Sequence, residues 1–260
     1  MGIILGGNTL GGLSFNTSGE TANYPNVVTD GLVLWLDAGN MSSYNNTDNY
    51  YDCGYGCQYY SSNPGCTNCN TRWIDMSGYG NDGTIQNSTP FVYNSTGASV
   101  VMNASNQGIQ ITNSSSLTNL KTSQGGSGYT VLVWAKSTGG TGSWRKLIGN
   151  GDGDNYIDLY QNPSGYWAQE CGSTLYVDGV NYSNGSYYMP NAGWHQYGAT
   201  NSNAGTLTNP TYSLTIGNEP NLSSYPWTMG EIAIVQIYNR VLSTEEMIQN
   251  FNNGRQRFGI

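Results

Sequence analysis

The sequence predicts an all-β sandwich with one short C-terminal helix, and three observations carry that prediction. Tyr, Gly, Asn, Ser and Thr are abundant, while charged residues make up only 9% of the 260 residues. That mix favours strands joined by many turns over helix bundles or coiled coils. Apolar segments of strand length recur between turn signals, with no long helices between them to suggest parallel βαβ units. The stretch 230–249, GEIAIVQIYNRVLSTEEMIQ, joins a buried strand to a capped helix. Its Ile232, Ile234, Ile237 and Tyr238 form an apolar, β-branched run with one slip of phase. After a turn at Asn239 and Arg240, Ser243 stands at an N-cap with Glu246 three residues on, a pair that satisfies two orphan amides at a helix start. A helix over 244–252 follows, with Gly254 as its stop.

The remaining elements follow in order. Residues 1–28 are Gly-, Asn- and Ser-rich with isolated apolar side chains, which reads as an extended arm ahead of one domain over 29–260. GLVLWLDA at 31–38 is a strongly apolar strand ending at Asp37. Residues 40–71 form an insertion holding four of the five cysteines. WIDMSGYGNDGT at 73–84 is a short strand running into a turn-dense loop. Val100-Val101 and 109–111 read as short paired strands around an Asn-rich turn. YTVLVWAK at 129–136 alternates, with Val131, Val133 and Ala135 on one side and Leu132, Trp134 and Lys136 on the other. Further strands are expected at 146–148, 156–160, 166–169, 174–177, 194–199 and 212–216.

The net charge is −8, and the eight Lys and Arg are scattered singly. No basic patch exists for a phosphate backbone, which excludes nucleic acid as a partner. No run reaches transmembrane length, so membrane insertion is not expected. The first residues lack a basic n-region and a small-residue cleavage site, yet the composition has an extracellular look.

Together GLVLWLDA, WIDMSGYGNDGTI, YTVLVWAK, KLIGNG, LYVDG, GWHQYGAT, LTIGNE and GEIAIVQIYNRVLSTEEMIQNFN resemble the concanavalin A-like lectin/glucanase superfamily in its laminin-G-like branch. The likeness runs in order over residues 30–255, interrupted by the cysteine insertion. It implies a jelly-roll sandwich of two curved antiparallel sheets. Versions with this ending are common among structural proteins of tailed bacteriophages, notably those of aquatic hosts. The resemblance therefore implies a non-enzymatic virion protein, displayed on capsid or tail and docked on other virion proteins through residues 1–28, in a homo-oligomeric setting. A chain made in the host cytoplasm and released by lysis also fits a surface without a signal peptide. The alternative is an adhesin that recognises host glycans. Two departures stand out. Ala233 and Ile234 replace the acidic residue that many laminin-G-like relatives carry after GEI, and MNASNQ at 102–107 replaces a carboxylate-bearing turn.

The candidate chemistry is sparse. Retaining glycosidases of this superfamily present Glu-x-Asp-x-Glu on one strand, so that nucleophile and acid face the same sugar. No such run occurs, since Glu170 and Glu219 stand alone and Glu245 and Glu246 are adjacent at a helix start. An enzyme is therefore not expected. His195 is the single histidine, and a structural role suits it. Asp152 and Asp154 stand two apart in a Gly-rich loop, followed by Asp158, and offer hard oxygen ligands for calcium, or else a plain hairpin turn. Cys53, Cys57, Cys66 and Cys69 can staple their insertion as two disulfides or as one structural zinc site, and their spacing leans to disulfides. Cys171 reads as a buried free thiol. Tyr59 and Tyr60 in the insertion, and Tyr187, Tyr188, Tyr225 and Trp227 later, form the candidate contact surface for a glycan or protein, with Tyr182 beside them.

Overall fold

The computed structural model describes residues 26–44, 72–87, 89, 91–94, 97–102, 104–118, 120, 128–137, 142–150, 157–169, 174–182, 186–188, 192–202, 214–227 and 230–260. Within them the chain folds as two antiparallel sheets of eight strands each, packed face to face. In the first sheet, the order is β12 (Val180–Tyr182), β11 (Thr174–Val177), β14 (Gly193–Asn201), β7 (Tyr129–Ser137), β16 (Gly230–Tyr238), β5 (Gly97–Met102) and β4 (Phe91–Asn94), with β1 (Leu32–Asp37) also paired to β16. In the second it is β13 (Ser186–Tyr188), β10 (Tyr166–Gln169), β9 (Asp158–Gln161), β8 (Arg145–Gly149), β15 (Leu214–Ile216), β6 (Gly108–Ile111), β3 (Gly83–Gln86) and β2 (Arg72–Trp73).

The alternation in β7 places its residues as the sequence predicts. Val131, Val133 and Ala135 enter the core between the sheets, whereas Leu132 and Trp134 face outward into two smaller apolar clusters. The slip of phase in β16 is a β-bulge between Ile232 and Ile234. It lets one edge of β16 serve two partners, β5 along residues 230–232 and β1 along 234–238. Ala233 sits at the changeover, and its carbonyl accepts from the Ala38 N–H at 2.9 Å. Because the bulge adds one residue, Ala233 and Ile234 both face outward while Val235 and Ile237 return to the core.

Two expectations need correction. The segments at Val100-Val101 and 109–111 do not pair, because β5 belongs to the first sheet and β6 to the second, so the turn between them crosses the sandwich. Gly254 does not stop the helix. After α1 (Met41–Tyr44) and α2 (Ser115–Thr118), the helix α3 runs Thr244–Phe258, with the expected capping box between Ser243 and Glu246 and a left-handed C-cap at Gly259. Gly254 lies inside α3 because a Cβ there would sit 2.6 Å from the Trp134 indole nitrogen. A close helix-to-sheet approach, rather than a chain stop, requires that glycine.

The helix covers the outer face of the first sheet. Trp134 stacks on Phe251 and Phe258 at 5.7 and 4.6 Å, and Trp194 lies tilted against Phe258 at 4.5 Å. Asp37, fully buried, takes the Arg257 guanidinium at 2.6 Å. Residues 26–28 lie along the same helix, where the Val28 N–H donates to Asn250 and the Gln249 amide to the Asn26 carbonyl. Among the described residues no helix is long and apolar enough to cross a membrane.

Candidate functional site

The outer face of the second sheet is built differently. A bulge in β8, between Lys146 and Ile148, keeps Leu147 and Ile148 in the core while Lys146 pairs with Tyr160 of β9 on the outer face. Asp158, opposite Gly149, is on that face too. The Lys146 ammonium lies 2.9 Å from Asp158 and also contacts Glu219, with all three side chains almost fully buried. Burial alone would lower the Lys146 pKa, but Asp158 and Glu219 outweigh it and hold the pKa above its ordinary value. Gly149 makes room for the pair, since a Cβ there would stand 2.7 Å from an Asp158 carboxylate oxygen.

Glu219 arrives on a loop, residues 217–227, that runs on from β15. The Trp227 N–H closes the loop on the Gly217 carbonyl at 2.8 Å, and Trp227 itself is 0% exposed, tilted against Trp167 in the core. Asn218, also buried, donates to the carbonyls of Ser105 and Gln107 at 2.8 and 2.9 Å. Along β8 the Gly217 N–H donates to Leu147 and the Tyr225 carbonyl accepts from Lys146. The loop is thus an Ω-type closure pinned at both ends.

Above the ion group stands an aromatic shelf. The Lys146 ammonium is 5.7 Å from the Tyr225 ring. Trp144, immediately before β8, is 45% exposed and packs on Tyr160 at 5.3 Å and on the edge of Tyr225 at 6.5 Å. Tyr166 of β10 is 41% exposed, and since Ala168 pairs with Tyr160, Tyr166 belongs to the same face. Three rings from one strand start, one mid-strand position and one loop are therefore held over a buried, hydrogen-bonded base.

Of the sequence candidates, Tyr225 belongs to this shelf. Trp227 does not contact solvent, and the expectation that it is a surface aromatic is corrected: loop closure drives it into the core. Tyr182 is likewise half-buried against the core. Tyr187 and Tyr188 lie on β13, paired with Trp167 and Tyr166 of β10. Asp158 faces the Lys146 ammonium rather than an open loop, so the charge a calcium ion would supply at that carboxylate is already provided by Lys146. Asp152, Asp154, Tyr59, Tyr60, Cys53, Cys57, Cys66, Cys69 and Cys171 are outside the described residues. Among the described residues, no three His, Cys, Asp or Glu side chains converge as metal ligands. His195 lies 2.6 Å from Asp178, which sits with φ 52° beside Gly179 at 76° in the β11–β12 hairpin and also accepts from the Gln196 N–H. The histidine thus ties a tight turn. Trp144, Tyr160 and the Lys146 group escaped the sequence reading, because Lys146, Asp158 and Glu219 are far apart in the chain and meet only through strand pairing and loop closure.

Neither protein-family models nor curated protein sequences match the chain. Solved structures do. A mutant of Trypanosoma rangeli sialidase displaying trans-sialidase activity shares 14% identity, with a TM-score of 0.50 over 89% of this chain and 34% of that one. A structure of botulinum neurotoxin type C, whose cell entry is described as dependent on two ganglioside molecules, shares 10% identity, with a TM-score of 0.53 over 87% and 52%. Domain 4 of a GH43 extracellular arabinanase from Geobacillus stearothermophilus, in complex with arabinotriose, matches at 15% identity and a TM-score of 0.48 over 84% and 97%. The chain spans about a third of the sialidase and about half of the toxin chain. These findings correct the expectation that an enzyme is excluded. A sialidase is among the proteins that share this architecture, so the missing Glu-x-Asp-x-Glu run removes one catalytic arrangement and not enzymes as a class. What the chain shares with the sialidase and the toxin is the fold, an antiparallel β-sandwich of the jelly-roll type.

Proposed function

We propose that the chain is a laminin-G-like adhesion module of a tailed-phage virion that recognises host-surface glycans on the shelf of Trp144, Tyr160 and Tyr225. The observation that carries this is Trp144, a large apolar side chain left 45% exposed yet fixed against two tyrosines. Rigid aromatic faces beside hydroxyls and amides suit the apolar patches and hydroxyls of a pyranose. A toxin structure of the same fold, tied in its own description to gangliosides, adds support at the level of architecture.

The virion setting rests on the sequence resemblance, and one structural feature fits it. Residues 26–28 lie along α3, on the opposite side of the sandwich from the shelf. An arm continuing from there would hold the particle side while the shelf faces outward, with the protein assembled as identical copies on capsid or tail. Two experiments separate the parts. On a glycan array, wild-type protein should bind a subset of glycans and Trp144→Ala should lose them; a chain that binds no glycan overturns the recognition role. Deleting residues 1–25 should prevent joining to particles, and normal incorporation of the shortened chain would rule out the anchor.

A further inference from the structure

The strands of the second sheet set two exposed rings, Trp144 and Tyr166, in one row. Gln161 of β9 pairs with both Arg145 of β8 and Trp167 of β10. One residue further along each strand, positions 144, 162 and 166 therefore stand side by side. The Asn162 N–H donates to the Tyr166 carbonyl at 2.8 Å, and the Gly142 N–H donates to the Pro163 carbonyl at 2.7 Å, which holds the chain before β8 against the β9–β10 turn. Trp167 enters the core, so its neighbour Tyr166 faces outward, and Trp144 shares the outer face with Lys146 two residues on. Both rings are exposed. Two strand spacings, about 10 Å, separate the backbones that carry them. An extended chain of equatorially linked pyranoses advances by about one strand spacing per sugar, with alternate sugars turned the same way. Its first and third rings thus match the separation of Trp144 and Tyr166. Between them the Asn162 carboxamide oxygen accepts from the N–H groups of Ser164 and Tyr166, both at 3.0 Å, which fixes an amide at the centre of the row to meet the hydroxyls of the middle sugar.

We infer that Tyr166 is a second stacking position, and that the shelf binds an extended, equatorially linked polysaccharide laid across the strands, with Trp144 and Tyr166 under alternate sugars. The inference rests on the glycan-binding function proposed above and names its class of ligand. A single terminal sugar reaches one ring; a chain of three reaches both.

The test uses the full chain and β-1,4-linked oligomers of glucose, mannose and N-acetylglucosamine, each from monomer to tetramer, titrated against wild type, Trp144→Ala, Tyr166→Ala and Tyr166→Phe. In at least one series the trimer should bind about tenfold or more tighter than the monomer and dimer, as one added aromatic contact implies. Tyr166→Ala should bring the trimer down to the affinity of the dimer and leave the shorter sugars unchanged. Tyr166→Phe keeps the ring and should keep the advantage, while Trp144→Ala should lose binding at every length. A trimer bound no better than the monomer, an advantage that survives Tyr166→Ala, or no binding in any series would overturn the inference. The glycan array reads the recognition role separately: a chain that binds array glycans through Trp144 keeps that role, and a chain that binds none loses it.

Discussion

The two outer faces of the sandwich use the same residue types to opposite ends. On the first sheet Trp134 and Trp194 project outward and are capped by Phe251 and Phe258 of α3, so the rings become a second small core. On the second sheet Trp144, Tyr160 and Tyr225 project outward with no covering helix among the described residues, above a salt-bridged lysine. The difference lies in the layer beneath and above. Ala233 and Ile234 give the first face an apolar floor that a helix can seal, whereas Lys146, Asp158 and Glu219 give the second a polar floor that fixes rings in place without closing over them. Aromatic side chains do not announce their role; what covers them does.

The comparison can be broken most directly at the polar floor. Lys146→Met leaves Asp158 and Glu219 buried without their cation, and the expected loss is about 3–5 kcal/mol in a urea unfolding experiment. A loss below about 1 kcal/mol would mean that the ion group does not hold the shelf. On the covered face the sharper variant is Gly254→Ala. Helix propensity alone would favour alanine by about 1 kcal/mol, but the added methyl group meets the Trp134 indole. A net loss of about 1–3 kcal/mol is expected, and a stabilised variant would show that the helix packs more loosely than the contact implies.

Smaller effects belong to the helix start. Ser243→Ala should cost about 1 kcal/mol through the lost cap. The hydrogen bond from Arg240 holds the Glu246 carboxyl below its ordinary value of 4.5. Its folded pKa is depressed, so its contribution is present above the ordinary value and disappears as pH falls through the lower folded one. Acid titration of stability should therefore steepen below about pH 4.5, and Glu246→Gln should remove roughly 0.5–1 kcal/mol of that dependence. Trp144→Ala should cost about 0.5–1.5 kcal/mol through its contacts with Tyr160 and Tyr225, well short of the loss expected for a ring in the core.

Much of the architecture was legible in the sequence because it depends on short-range pattern. The alternation of 129–136, the slip of phase in 230–238 and the Ser243–Glu246 pair each map onto one element of the structure. The WIDMSGYGNDGT motif also has a local cause, since Asp75 accepts from the N–H groups of Trp35, Ser77 and Asn81 and so organises its own loop. The rest depends on contacts distant in sequence. Gly254 resembles a helix stop until Trp134 is known to lie against it, and Trp227 resembles a surface aromatic until its loop closes on Gly217. The Lys146 group requires a bulge in β8, a paired β9 and the returning loop at once. No single stretch of the chain encodes it.

The central claim is that the uncovered shelf serves recognition while the covered rings serve architecture. Measuring the unfolding free energy and the glycan affinity of Trp144→Ala and Trp134→Ala in parallel tests it most directly. The account predicts that Trp144→Ala loses no more than about 1.5 kcal/mol of stability and loses binding, while Trp134→Ala loses about 3–5 kcal/mol of stability. A Trp144→Ala protein that binds glycan as the wild type does, or that is destabilised as much as Trp134→Ala, would contradict it.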